Sequence, residues 1–421
     1  MYRALRIPFF LCLPLFAVTA IGCGTAGSRL TPIINRFRSE RIEVRDEALA
    51  RLSALKVLTE AEALEALEAA GERFAPLTES YRDIGEELIR AAESRGGTEH
   101  IAVIRRRFGS YSSQARGAAL QLLESLHTTE ATETALDLII AQMSSTASDP
   151  SLESIMYSIL LEHFGEGEIP KRLAGRLTQA ITAASQRYAG IVGPAQQSQG
   201  TAWMWEDDYL TPRSNAALLL DILGYIPSPE ATAELRAALA YSDPYLKVFT
   251  IVSLLRHGIV APPEQYEEVA RSTTTRQTLH IMLKDIGRLD LFPKAFTSQA
   301  ALAEGDMVNW LLYPTELGKP PDTIELMAVR SVESSEGTED YYFFRFRAND
   351  SDVNQPGVWM AGVSGPYPHT GIAGTSAGGD TFSDFMPWTD QFPDNYMEEL
   401  DKLPGERFGT NDDEGPSDVA S

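Results

Sequence analysis

The residues of this 421-residue chain whose types and spacing could carry a reaction lie toward its C-terminus. Gly374-Thr375-Ser376-Ala377-Gly378 has the form G-x-S-x-G, in which a serine on a tight strand-to-helix turn is raised as a nucleophile. That chemistry needs a core strand before the serine, a helix after it and a partner acid further on. Residues 370–373 are too few for such a strand, Gly379-Asp380-Thr381 breaks a helix, and the chain beyond 403 is a Gly-, Asp- and Pro-rich acidic tail. The motif reads as a glycine loop, with Ser376 kept as the alternative, a serine hydrolase. Asp350-x-Asp352-x-Asn354 has the opening spacing of a calcium loop, but Gln355 stands where glycine is required and Ala361 where a bidentate Glu should be. These three oxygen ligands also suit a turn between strands. His100, His127, His163, His257, His280 and His369 are scattered without metal-ligand spacing. No metal and no other cofactor is expected.

Charge narrows the partners. Asp and Glu number 59 against 36 Lys and Arg, a formal charge of −23, so phosphate polymers are repelled over most of the surface. The one basic run is Arg105-Arg106-Arg107, which is too short for a nucleic-acid interface. Apolar residues make up 43% of the chain, enough for a sizeable core in each of two or three domains. The G-x-S-x-G segment with its following glycine resembles the nucleophile turn of patatin-like lipases, yet the glycine-rich oxyanion loop expected before the serine is missing.

The N-terminus carries an address. Arg3 and Arg6 precede an apolar stretch from Ile7 to Ile21, too short and too Pro-interrupted to span a bilayer well. It ends Ala20-Ile21-Gly22-Cys23, which resembles the lipobox of bacterial lipoproteins. The resemblance implies removal of residues 1–22 and a lipid on the Cys23 thiol. Cysteine counting agrees, because Cys12 lies in the segment to be removed and leaves Cys23 without an intramolecular partner. Gly24, where retention signals have Asp, implies an outer-membrane destination. Residues 23–38 then read as the lipidated cysteine and a flexible tether.

From 39 to about 300 the apolar residues recur at helical spacing, broken about every 12 to 20 residues by clusters of Gly, Pro, Asp and Ser. Val44, Ala48, Leu52 and Leu55 make one such stripe. Arg116-Gly117-Ala118-Ala119-Leu120-Gln121-Leu122-Leu123 is echoed by Arg213-Ser214-Asn215-Ala216-Ala217-Leu218-Leu219-Leu220, and each is followed by Glu-Ala-Thr. Asp149-Pro150 and Asp243-Pro244 open helices, since Asp caps free amides and Pro at the first position gives up no needed donor. The pattern resembles HEAT or armadillo repeats, a solenoid of paired antiparallel helices; its "valine-arginine-x-x-alanine-x-x-x-leucine" flavour is seen in Val44 to Leu52. Stacked repeats generally hold other proteins.

Gly193-Pro194-Ala195-Gln196-Gln197-Ser198-Gln199-Gly200 interrupts the array, and Trp203, Trp205, Asp207, Asp208 and Tyr209 follow as partner-binding candidates. With Trp359 the tryptophans also offer a second alternative, a polysaccharide-binding envelope protein. Residues 301–402 change character. Ile324 to Val332, Tyr341 to Arg347 and Val358 to Val363 read as about three antiparallel strands, the middle one half-buried. The expected protein is a mainly α, HEAT-like solenoid with a small α+β module and a disordered acidic tail, 403–421. It would act as a non-catalytic, lipid-anchored cell-envelope scaffold for a protein or peptide partner. Cys23→Ala should abolish incorporation of labelled palmitate and leave the uncleaved precursor; unchanged labelling of the variant would refute lipidation at that thiol.

Overall fold

The computed structural model describes residues 28–77, 82–93, 97–145, 149–313, 315–334, 337–348, 357–369 and 381–402. The chain is mainly helical and ends in a small antiparallel sheet. Its described residues divide into two compact units, one of 28–195 with 208–235 and the other of 196–207 with 236 onward.

The first unit holds α1 (Thr31–Phe37), α2 (Ile42–Ala54), α3 (Glu60–Ala69), α4 (Ile84–Ala92), α5 (Thr98–Arg107), α6 (Ser113–Ser125), α7 (Thr129–Met143), α8 (Pro150–Glu166), α9 (Lys171–Val192) and nearly all of α10 (Asp207–Leu223). The division falls inside α11 (Pro229–Ala238). Local sequence sets the starts. The Thr59 hydroxyl accepts from the Glu62 amide while the Glu62 carboxylate accepts from the Thr59 amide, a capping box. Asp83, Ser112 and Thr128 cap α4, α6 and α7 in the same one-sided way, and Asp149 accepts from the Ser151 amide at 2.9 Å with Pro150 at the first position.

Packing then skips a helix at each step. α3 lies on α5, α5 on α7 and α7 on α9, while α4 lies on α6 and α6 on α8. Two rows result, and between them Leu67, Leu88, Ile104, Leu120, Leu123, Leu136, Ile139 and Leu160 are closed to water. Each such side chain contributes about 1.5–3 kcal/mol relative to exposure, so the inter-row core dominates the stability of the unit.

Two expectations change here. The tether assigned to 23–38 is helical from Thr31: Leu30, Ile33, Ile34 and Phe37 fall at i, i+3, i+4 and i+7 and are buried, and Arg29 binds Glu62 of α3. In α2 the buried face is Arg45, Ala48 and Leu52, with Val44 and Leu55 only half-buried. Arg45 can take that place because three carbonyl oxygens, of Ser39, Glu40 and Pro76, accept from its guanidinium at 2.7–2.8 Å.

The second unit continues with α12 (Pro244–Arg256), α13 (Pro263–Arg271), α14 (Thr273–Asp285) and α15 (Gln299–Leu311). Asp243 caps α12 through the Tyr245 amide at 2.9 Å, and Gly258, at φ 75°, turns the chain out of the helix. Then come β1 (Thr323–Ser334), β2 (Gly337–Arg347), β3 (Met360–Pro368) and β4 (Phe382–Pro387), antiparallel in sequence order, and α16 (Phe392–Lys402). The fourth strand lacks a clear sequence signal, being only six residues long and Pro-terminated.

β2 is covered on both faces, where alternation predicted one. Tyr342, Phe344 and Phe346 pack with Met360 and Tyr367 on Ala303, Met307 and Leu311 of α15. Tyr341 and Phe343 pack with Ala361 and Val363 under Phe392, Tyr396 and Leu400 of α16. The second cover is a helix that the period of β2 could not announce. The Tyr367 hydroxyl donates to Asp306 of α15, whose carboxyl is pushed up to about 6 by burial.

Gly85 sits where α4 meets α3 and α6: a Cβ there would stand 2.7 Å from the Ala70 carbonyl oxygen and 3.3 Å from Ala115 Cβ. Helix propensity favours Ala by about 1 kcal/mol, but a backbone carbonyl cannot rotate away. Gly85→Ala should therefore lower stability by about 1–3 kcal/mol in urea unfolding followed by circular dichroism; a higher midpoint for the variant would contradict this packing.

Candidate functional site

The polar residues of the first unit fall into three groups. The first is a ladder along α3, α5, α7 and α9. Arg106 and Arg107 of α5 both reach Glu68 of α3, Arg105 binds the Thr134 hydroxyl of α7, and Arg172 of α9 binds Glu133 of α7 at 2.7 Å. Arg176 adds Asp137 at 2.6 Å. The ion-paired partners are 38 or 39 residues apart, one repeat. The basic triplet noticed in the sequence is thus used as a tie between neighbouring helices. The Arg172 guanidinium holds the Glu133 carboxyl below its usual range. Each exposed tie is worth about 0–1 kcal/mol, so the ladder sets register more than stability.

The second group is buried where α8, α9 and α10 meet. Glu153, 2% exposed, accepts from Arg187 and from the Tyr188 hydroxyl. Asn215 donates to the Tyr188 hydroxyl and to the Pro150 carbonyl, both at 2.9 Å, and accepts from Ser154 at 2.6 Å. Burial pushes the Tyr157 and Tyr188 phenols up, so they stay neutral donors. Every member faces another member. The knot pins three helices, with the half-exposed Arg187 at its edge. A related tie joins α8 to α6, where His163, buried, meets Glu124 at 2.8 Å.

The third group is what the second row shows to solvent. On α6 the exposed positions are Gln114, Gln121 and Ser125; on α8 Ser151, Ser158 and Glu162 take the same places one repeat later, and Pro150, Gly165 and Glu166 are exposed at the helix ends. α10 exposes Asp207, Asp208, Thr211 and Ser214. The six positions that α6 and α8 share one repeat apart carry a single charge, Glu162, while the other exposed acids, Glu166, Asp207 and Asp208, lie at helix ends. Amides and hydroxyls offer both donors and acceptors there. This stripe was not singled out from the sequence; the signal available was the lack of charge at the outward positions of two successive repeats.

The residues singled out from the sequence are dispersed. Trp203 and Tyr209 are 7% exposed, Trp205 is half-buried, and Asp207 and Asp208 are exposed. The Trp203 indole donates to the Gly200 carbonyl at 3.0 Å. The preceding segment is fastened as well: the Gln196 side chain accepts from the Ser242 and Asp243 amides, both at 2.9 Å, at the start of α12. Trp359 is half-buried, with Arg345 and Arg347 over its ring at 4.3 and 4.8 Å. Ser331 and His369 both bind Asp340, at 2.6 and 2.9 Å, so the carboxylate separates that hydroxyl from that imidazole. Cys23, Asp350, Asp352, Asn354 and Ser376 lie outside the described residues.

Among the described residues no group of three or more His, Cys, Asp or Glu side chains is placed to hold a metal ion, and no helix is long and apolar enough to cross a membrane. Comparison with protein-family models, with curated proteins and with solved structures finds no match to this chain.

The His163–Glu124 pair has a pH signature. The hydrogen bond that the imidazole donates to Glu124 raises it above its ordinary value near 6.5, against burial, so its stabilisation is complete below that value and is lost as pH rises through the raised one. Between about pH 6 and about pH 8.5 the melting temperature of the native chain should fall more than that of His163→Gln. Parallel curves for the two would refute a charged His163.

Proposed function

We infer that the chain is a non-catalytic, membrane-anchored scaffold or adaptor of the cell envelope that holds a protein or peptide partner on its helical-repeat surface. One observation carries this reading: the two rows of the first unit present different chemistry to solvent. Along α3, α5, α7 and α9 the arginines are engaged with carboxylates one repeat away. Along α6 and α8 the outward groups at equivalent places are Gln114, Gln121, Ser125, Ser151, Ser158 and Glu162, all uncharged but the last, and the exposed acids Glu166, Asp207 and Asp208 lie at the ends of α8 and α10. A row of mostly uncharged groups that donate and accept suits the alternating amides and carbonyls of an extended peptide, at a lower desolvation cost than a fully charged face.

The one-repeat separation of the ties supports a HEAT-like solenoid, an architecture that serves as a binding surface through its repetition. The lipobox-like Ala20-Ile21-Gly22-Cys23 supports the anchor, and two or more acyl chains on Cys23 would hold the scaffold at a membrane surface. The excess of acid disfavours nucleic acid as a partner.

A photo-crosslinking amino acid placed at Gln121 or at Ser158 in cells should give discrete adducts of one mass increment. The same amino acid at Glu130, exposed on α7 of the charged row, should not. No adduct at the first two positions, or equal adducts at all three, would overturn the assignment of the partner to the uncharged face.

A further inference from the structure

The two edges of the sheet are unlike. β4, Phe382–Pro387, is short and ends in proline, the usual protection of an edge. β1, Thr323–Ser334, is twelve residues long, contains neither Pro nor Lys, and among the described residues pairs only with β2. It leaves Leu326, Met327 and Val329 exposed at 43%, 38% and 42%. A long edge with three exposed large apolar side chains is built to receive another strand.

The strand is its own complement. An antiparallel pairing of two copies of β1 about a two-fold axis between Met327 and Ala328 sets Glu325 against Arg330 and Leu326 against Val329, each twice. It sets Ile324 against Ser331 and Thr323 against Val332. Opposite residues must also share a face of the sheet, and here the β-bulge between Leu326 and Ala328 decides the matter. Leu326 and Val329 lie opposite Phe344 and Tyr342, which face α15. Glu325 lies opposite Arg345, on the other face, and Arg330 binds Asp394 of α16 at 2.8 Å on that same face. Without the extra residue of the bulge, Leu326 and Val329 would point to opposite faces, as would Glu325 and Arg330. With it, apolar meets apolar and acid meets base across the axis.

We propose that β1 is the seam of a homodimer, in which two copies of the chain pair antiparallel over residues 323–332 and join their four-stranded sheets into one. Glu325 and Arg330, whose side chains are 41% and 40% exposed, extend their ion pairs with Arg345 and Asp394 across the seam. The ladder ends where it does because the next pair would oppose Asp322 to Glu333, two acids.

The test uses the full chain in detergent micelles, with the mass taken from light scattering. The native chain at tens of micromolar should have twice the 46.2 kDa of one copy. Leu326→Lys with Val329→Lys should have the mass of one copy and an unchanged circular-dichroism spectrum, since both positions are exposed in one copy. Register is read by disulfide trapping in a chain carrying Cys12→Ala and Cys23→Ala, so that introduced thiols are alone. Leu326→Cys with Val329→Cys should convert to a reducible dimer on mild oxidation, and Leu326→Cys with Ser331→Cys should not. A native chain with the mass of one copy, a dimer that survives the two lysines, or equal trapping by both cysteine pairs would each overturn the proposal.

Discussion

A helix with one apolar stripe cannot hide it against a single neighbour of the same kind, because a pair of such helices still leaves half of each stripe in water. Most of the first unit follows from that constraint. α3 is covered by α4 and again by α5, α5 by α7, and α6 by both α4 and α8, so that each helix from α3 to α7 touches the helix two along the chain. Once that spacing is set, a side chain long enough to cross to the next helix of its own row meets a partner one repeat away. The Arg106–Glu68, Arg172–Glu133 and His163–Glu124 ties, at separations of 38 and 39 residues, are consequences of the packing and mark its period.

Magnitudes separate the polar interactions into two kinds. The exposed ladder is screened by water and salt, and its members contribute little individually. The buried groups behave differently. Glu153 with Arg187 and Tyr188, and Arg45 with its three carbonyl partners, would each cost several kcal/mol if one partner were removed, because a charge would be left in the interior. These sites specify which helix faces meet, and the apolar core supplies most of the stability. In the second unit the same division holds, with aromatic layers on both faces of the sheet and Asp306, Tyr367 and Ser364 as the polar contact between α15 and β3.

Much of this was readable in advance where the cause is local. Asp149-Pro150 and Asp243-Pro244 open helices in the structure as their side-chain chemistry requires, and the alternation of Tyr342, Phe344 and Phe346 made a strand. The reading failed where the cause was remote or was obscured by composition. Leu30 to Phe37 has helical spacing, but it was overlooked beside the Gly- and Ser-rich residues before it. Trp203 and Tyr209 were read as candidates for a partner, and their rings are buried in the protein. The second cover of β2 comes from α16, about fifty residues further along the chain, and nothing in the strand's own period signals it.

The sequence by itself determined the class of elements, their starts and stops, the helical period and the excess of acid, since each depends on residues within one or two turns of one another. Only the tertiary structure decided which polar residues are engaged in holding the fold and which stay turned to solvent. Arg105, Arg106 and Arg107 look like a basic patch in one dimension and prove to be ties to Glu68 and Thr134; Gln121 and Ser158 look like filler and prove to share an uncharged outer face. The physical reason is distance along the chain. A side chain's partner in a repeat array lies one repeat away, and its identity is set by how neighbouring helices pack, which no local pattern encodes.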